Sequence, residues 1–243
     1  MISKQQEIEV KKFLLSKYPE EAVCAITEFG FEKLENIAEE PTKNFKISKE
    51  QNFKIIEKGL KLLIHSHPDW WNVPSKSDMN TQMSLNIPMA ICTVTKNSCS
   101  NLRYFGIKNT EPLIGRPFVH GITDCYAIIR DFYISEFNEE IKNYARSWEW
   151  WLDNENLYEN NLKDCGFYQV YKPTLGDMFL CKIKSKVYNH AGIYLGNELI
   201  LHHLSGYKPI DNSKISRKEP INRWLKFIEK WYRHEKINPS WKT

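Results

Sequence analysis

No stretch of this chain approaches the roughly 18 consecutive apolar residues that a membrane-crossing helix requires, so no span is expected. The first residues, MISKQQEIEVKKFLLSKYPEE, are polar and charged. They lack an apolar h-region and a small-residue cleavage site, which predicts a chain without a secretory signal. The six cysteines (Cys24, Cys92, Cys99, Cys125, Cys165 and Cys181) include no CxxC pair. In a protein made in a reducing cytosol, that predicts small buried hydrophobes rather than structural disulfides. An excess of charge of one sign is missing as well: 34 Lys plus Arg stand against 30 Asp plus Glu, a net +4. So weak and dispersed a balance gives no footing for nucleic acid. Internal repeats and low-complexity tracts are also absent.

What is present belongs to a folded protein. The apolar fraction is 42% and the aromatic fraction 13%, above the range of disordered chains. A length of 243 residues holds one large domain or two small ones, each with its own core. Apolar residues at Ile8, Val10, Phe13, Leu14 and Tyr18 predict an amphipathic helix over 3–18. AVCAITEF and PMAICTVT read as strands, and ISKEQNFKIIEKGLKLLIHSH as a helix running into a strand. NTEPLIGR breaks the periodicity, which places a domain boundary there, between residues 108 and 109. Beyond it, GRPFVHGITDCYAIIRDFY reads as a loop entering a helix, and HAGIYLG and LILHHL as antiparallel strands. The basic tail RWLKFIEKWYRHEK reads as a closing helix or strand with a solvated face. Helix first and strands after, in both parts, predicts an α+β class.

The first chemical constellation is His65-Ser66-His67-Pro68, followed by Pro74-Ser75 and Asp78. Histidines at i and i+2 of a strand project from one face, and an Asp beyond a Pro-bounded loop can return as a third ligand. Three protein ligands and one open position form the arrangement of a catalytic zinc. The string, with both prolines, resembles the signature of the JAMM-type zinc isopeptidases over about residues 5–105. That resemblance implies an α/β sandwich over residues 1–108 and one zinc ion held by His65, His67 and Asp78. It also implies Glu21, in Tyr18-Pro19-Glu20-Glu21, as the acceptor of the water's proton, and Ser75 as a stabiliser of the oxyanion.

The second constellation begins at Asp124-Cys125, where a loop turns into a helix. Thr123 or Asp124 can cap that helix, leaving Cys125 in a first turn whose dipole favours the thiolate. Unpaired N–H groups of that turn can hold an oxyanion. His190, opening the strand HAGIYLG, is the natural base. A third polar group is expected from His202 or His203. A two-residue turn at Gly196-Asn197 would set His190 opposite His203, and a three-residue loop would set it opposite His202.

Asp-Cys at a helix start, then Leu175-Gly176-Asp177, then His-Ala-Gly-Ile-Tyr-Leu-Gly, resembles the NlpC-type cysteine peptidases. The resemblance implies a papain-like α+β domain over residues 109–243 and a Cys125–His190–His202 triad. It further implies hydrolysis of peptidoglycan stem-peptide bonds involving D-glutamate and diaminopimelate. Two positions depart from that pattern. Tyr126-Ala127 follows the cysteine where Ser-Gly is usual, and Phe118 stands nearest to where the family carries a tyrosine.

The two halves fused without a signal are similar to the K-type tail assembly proteins of lambda-like tailed phages. This implies a protein made in the host cytoplasm and carried at the virion tail tip. Its partners would be stem peptides of the wall and other tail-tip proteins. The alternatives are a tail-tip assembly factor with vestigial sites, or a zinc isopeptidase processing a tail protein.

Overall fold

The structure, a computed structural model, describes residues 2–108 and 111–237. The chain divides into two compact units. Of the described residues, one unit holds 2–74 together with Asn80–Lys108, and the other holds Ser75–Met79 with 111–237.

In the first unit, α1 (Lys4–Ser16) starts at a capping box in which Ser3 and Gln6 satisfy each other's backbone N–H groups. The strands β1 (Val23–Thr27) and β2 (Gly30–Leu34) follow, then α2 (Lys49–Glu57), β3 (Leu62–Pro68), α3 (Lys76–Leu85, of which the part from Asn80 belongs to this unit), β4 (Met89–Thr95), β5 (Ser98–Cys99) and β6 (Arg103–Phe105). The sheet order is β2-β1-β3-β4-β5, with β6 also on β4. Among the described residues of this unit, only β3 and β4 run parallel, joined through α3, as a parallel pair requires a crossover. Val10 and Leu14 of α1 pack on Cys24, Ile26, Ile64 and Ala90 of the sheet. β1 and β3 are buried almost throughout, the pattern of strands covered on both faces.

Cys92 and Cys99 come together across the β4–β5 hairpin, with Cα atoms 6.5 Å apart. Cys99 is opposite Val94 in that ladder, so the two cysteines meet on a diagonal that no CxxC spacing announces.

The second unit runs β7 (Pro117–Val119), α4 (Cys125–Phe137), α5 (Leu157–Asn161), β8 (Phe167–Val170), β9 (Met178–Cys181), β10 (His190–Tyr194), β11 (Leu199–His202), β12 (Ile210–Ile215), β13 (Arg217–Pro220) and β14 (Ile228–His234). Its main sheet has the order β13-β11-β10-β9-β14-β8, and β12 pairs with β7 apart from it. Alternation along the strands separates the two faces. Met178 and Leu180 meet Ile128, Ile129 and Phe132 of α4, while Phe179 and Cys181 join Ile200 and Trp224 on the other side. Each large aliphatic group so buried is worth about 1.5–3 kcal/mol. Helix α4 therefore lies on β10 by its own apolar stripe, and that contact sets the start of the helix beside the histidine strand.

The basic tail forms a strand, one of the two readings expected, and most of its residues are half-buried. Its strand β14 lies inside the sheet, between β9 and β8. Its charges are absorbed by partners: Arg233 meets Asp177 at 2.7 Å, and Lys230 pairs with Glu159.

Candidate functional sites

In the second unit Asp124 is the N-cap of α4 and Cys125 is the first helical residue. The carboxylate accepts from the N–H groups of Tyr126 at 3.1 Å and Ala127 at 2.9 Å. Its other oxygen takes Gly121 N–H at 2.8 Å and the guanidinium of Arg146 at 2.7 and 2.9 Å. Arg146 and Asp124 are both buried. Burial alone would raise the Asp124 carboxyl, but Arg146, His120 and the Ala127 amide outweigh it and hold it at about 2.

This arrangement corrects two expectations. The amides of Tyr126 and Ala127 already have an acceptor, so the amide of Cys125 itself is the candidate oxyanion donor of the turn. The thiol, moreover, is not favoured as thiolate. Burial, joined by the Asp124 carboxylate, pushes it up to about 11, against smaller opposing pulls from Tyr158, Arg146 and the Ala191 amide. A helix dipole is worth about 0.3–1 kcal/mol, too little to offset burial of a sulfur that is only 6% exposed.

The Tyr158 hydroxyl stands 3.3 Å from the Cys125 sulfur. Tyr158 lies on α5, in the aromatic segment 147–158, whose Trp150 and Tyr158 sit in the same core as Cys125. The segment thus packs and also reaches the sulfur. Phe118, the position lacking a hydroxyl, is buried against Trp148 and His203.

His190 Nε2 is 3.0 Å from His202 Nδ1. Neither simple hairpin pairing produces this contact. Gly192, not His190, is opposite His202, because residues 195–198 intervene between β10 and β11. His190 and Gly192 share a face of β10, so His202 reaches His190 diagonally across a residue without a side chain. His203 projects to the other face, with Nε2 3.1 Å from the Lys214 carbonyl.

Behind His202, Nε2 meets the carboxylate of Glu219, which also accepts from Trp224 Nε1 at 2.8 Å and Arg217 Nε at 3.2 Å. The Trp224 ring lies 4.4 Å from His202 and 5.5 Å from His190. Burial pushes His202 down to about 4, despite the pull of Glu219. Burial, with the charges of His202, His203 and Arg217, carries His190 well below its usual value. Both rings are therefore neutral at pH 7. Sequence reasoning does not single out Glu219, Trp224, Gly192, Tyr158 or Arg146. Gly192 lies inside the strand motif without a role assigned to it, and the others come from a strand, a turn, a short helix and a loop that carry no motif.

In the first unit, β3 presents His65 and His67 with their Nε2 atoms 3.1 Å apart. The Nδ1 of His67 is 2.8 Å from the Trp71 carbonyl. A carbonyl only accepts, so His67 carries its proton on Nδ1 and offers a lone pair at Nε2. Among the described residues, Glu21, His65 and His67 form the group whose ligand atoms lie within 4.8 Å of one another, all three buried. Two nitrogens on one tetrahedral zinc stand about 3.3 Å apart, so the donor set fits such an ion. Glu21 is thereby near enough to act as a ligand as well as a base. Ser75 and Asp78, which fall in the second unit, are brought to each other. Ser75 N–H donates to the Asp78 carboxylate at 2.8 Å, and Asp78 N–H to Ser75 Oγ at 3.1 Å, capping α3.

Known proteins similar to this chain bear on its second unit. Residues 115–229 match the model of the NlpC/P60 family. The chain is 34% identical over 177 residues to the tail tip assembly protein K of Escherichia phage lambda, covering 71% of this chain and 80% of that one. It is 30% identical over 176 residues to the tail tip assembly protein K of Escherichia phage N15, covering 71% of each. The solved NlpC/p60 domain of the peptidoglycan hydrolase SagA aligns with 50% of this chain and 89% of its own length, at 16% identity and a TM-score of 0.31.

Proposed function

Because this chain belongs to the family of the tail tip assembly protein K, we propose that it is a phage tail-tip component whose second unit hydrolyses amide bonds of peptidoglycan stem peptides. The supporting observation is the hydrogen-bonded line His190–His202–Glu219 in the strands beside a buried cysteine that opens a helix.

In this reading Cys125 rests as a thiol, and His190 takes its proton as the sulfur attacks the scissile carbonyl. The oxyanion is met by the Cys125 amide, with the Tyr158 hydroxyl at hand. As the C–N bond breaks, His190 returns the proton to the departing amine, leaving a thioester. Water then attacks the thioester, giving a proton to His190, and the acid leaves as the Cys125 thiol re-forms. A base so placed contributes about 10²–10⁴ in rate. The NlpC-type resemblance points to bonds involving D-glutamate and diaminopimelate. Synthesis in the host cytoplasm and carriage on the virion would bring the enzyme to the wall.

Purified protein incubated with muropeptides should release stem-peptide fragments detectable by mass spectrometry, and Cys125→Ala should release none. Equal cleavage by both proteins would exclude Cys125. No cleavage by either, with Cys125→Ala particles still infective, would leave an assembly factor.

For the first unit we propose a zinc-dependent peptidase site of JAMM type, acting on a tail protein or on the wall. His65 and His67 would hold the ion, with Asp78 as the third ligand that the resemblance implies. Zinc there supplies an acidified water. Glu21 would accept its proton, and Ser75 would stabilise the oxyanion.

A further inference from the structure

Behind the imidazole pair the second unit buries a carboxylate that the hydrolytic scheme does not by itself require. Glu219 lies on β13, whose neighbour Arg217 is opposite His202 in the β11–β13 ladder. Its side chain is 11% exposed, and one oxygen, Oε1, faces three nitrogens: His202 Nε2, Trp224 Nε1 and Arg217 Nε. Arg223 adds a second positive neighbour besides Arg217, 3.8 Å from Oε2.

A carboxylate has no proton to give, so His202 must carry its proton on Nε2. In a neutral imidazole the other nitrogen is then a bare acceptor. That nitrogen, Nδ1, is the one 3.0 Å from His190 Nε2. His190 must therefore donate, which places its own proton on Nε2 and leaves its Nδ1 with a lone pair. Nδ1 is then the atom left to take a proton from the thiol.

The opposite arrangement fails twice. It would set a bare His202 nitrogen against a carboxylate, and it would protonate His190 at the atom that must act as base. We propose that Glu219 is a positioning residue which, through His202, fixes the tautomer of His190 as Nε2–H and so makes it a base toward Cys125. Trp224 and Arg217 hold the carboxylate in place for that task. The proposal rests on the cysteine-hydrolase reading above, but it concerns an assignment that can be measured without any substrate.

The direct measurement is a two-bond ¹H–¹⁵N spectrum of the ¹⁵N-labelled full chain at pH 7. His190 and His202 should both appear as neutral Nε2–H rings. A ring protonated on Nδ1, or a cationic ring, overturns the proposal, and no variant is needed to decide it. Glu219→Met, which offers no strong acceptor, should mix the tautomers of His190 and lower kcat on muropeptides by about 10²–10⁴-fold with KM unchanged. Glu219→Gln keeps an acceptor oxygen for Trp224, Arg217 and His202. It should retain the wild-type spectrum and lose no more than roughly tenfold in kcat, within the range of a single weakened contact. Equal losses in both variants, or an unaltered spectrum in Glu219→Met, would refute the assignment. Wild-type protein that cleaves nothing while showing both Nε2–H rings would remove the hydrolase reading and leave the tautomer assignment standing. The reverse pair of results would remove only the assignment.

Discussion

Gly192 stands directly opposite His202 in the β10–β11 ladder, and a Cβ on it would lie 2.7 Å from the Cβ of His202 and 2.6 Å from the Leu201 carbonyl oxygen. The gap left by this hydrogen is the passage through which the two imidazoles meet.

Gly192→Ala should therefore separate them. The fold has to shift a backbone carbonyl and the Phe179 ring, which would also lie 2.6 Å from the added methyl group. A cost of roughly 1–3 kcal/mol in stability is expected from such overpacking. Loss of kcat should exceed what that destabilisation explains, because the protein remains folded at 25 °C. Thermal melting and muropeptide cleavage, measured on one preparation, separate the two effects. A variant that melts lower but cleaves normally would show that the diagonal contact is dispensable.

The state of the thiol can be read chemically. With Cys125 pushed up to about 11 by burial, its alkylation by iodoacetamide should be slow at pH 7 and keep rising toward pH 11. Peptide mass mapping follows that cysteine apart from the others. A rate already level below pH 7 would mean a standing thiolate–imidazolium pair, and the proton transfer to His190 described above would then precede substrate binding.

The parts of this site visible in the sequence are those that chemistry confines to short spacings. Asp124-Cys125 at a helix start, the strand beginning at His190, and HSHP with its flanking prolines each carry their geometry within a few residues. The rest arises from register. His202 reaches His190 through a diagonal that only the actual length of the 195–198 loop creates. Glu219 and Trp224 arrive from the following strand and turn, where nothing in RKEPINRW marks a carboxylate as buried. The interior position of β14 is hidden for a related reason. Its lysine and arginine look solvated until Glu159 and Asp177, distant in sequence, are seen to meet them.

Acid should unfold the second unit early. His120 and His202 are each held down to about 4, mainly by burial, against an unfolded value near 6.5. Their folded values lie below their unfolded ones, so the unfolded chain binds more protons across that interval. Stability is then fully present above pH 6.5 and lost as pH falls toward 4, by about 3 kcal/mol for each group at about 1.4 kcal/mol per pH unit. Glu219, also held below its usual value, acts in the same direction. Urea midpoints measured between pH 7 and pH 4 should fall steadily, and a flat profile would contradict the burial of these rings.

Removing one side of the pair beneath Cys125 should be costly. Arg146→Met leaves the Asp124 carboxylate buried without its guanidinium, a loss of about 3–5 kcal/mol. Asp124→Asn together with Arg146→Met should recover part of it, since no unpaired charge remains. Chemical denaturation of the single and double variants tests this directly, and additive losses would mean that the two side chains act independently.

In the first unit the lone pair of His67 Nε2 is fixed by the Trp71 carbonyl, and His65 Nε2 sits 3.1 Å from it. Two imidazole nitrogens held this close form half of a tetrahedral donor set before any ion arrives, with Glu21 within reach. Wild-type protein dialysed against zinc should retain about one ion per chain, the stoichiometry of a single tetrahedral site, and melt at a higher temperature than after chelation. His67→Ala should retain none and show no change on chelation. Iodoacetamide labelling of Cys125 should be the same in all these samples, because the second unit would be intact. Zinc retained equally by His67→Ala, or by neither protein, would assign the trio to packing of β3.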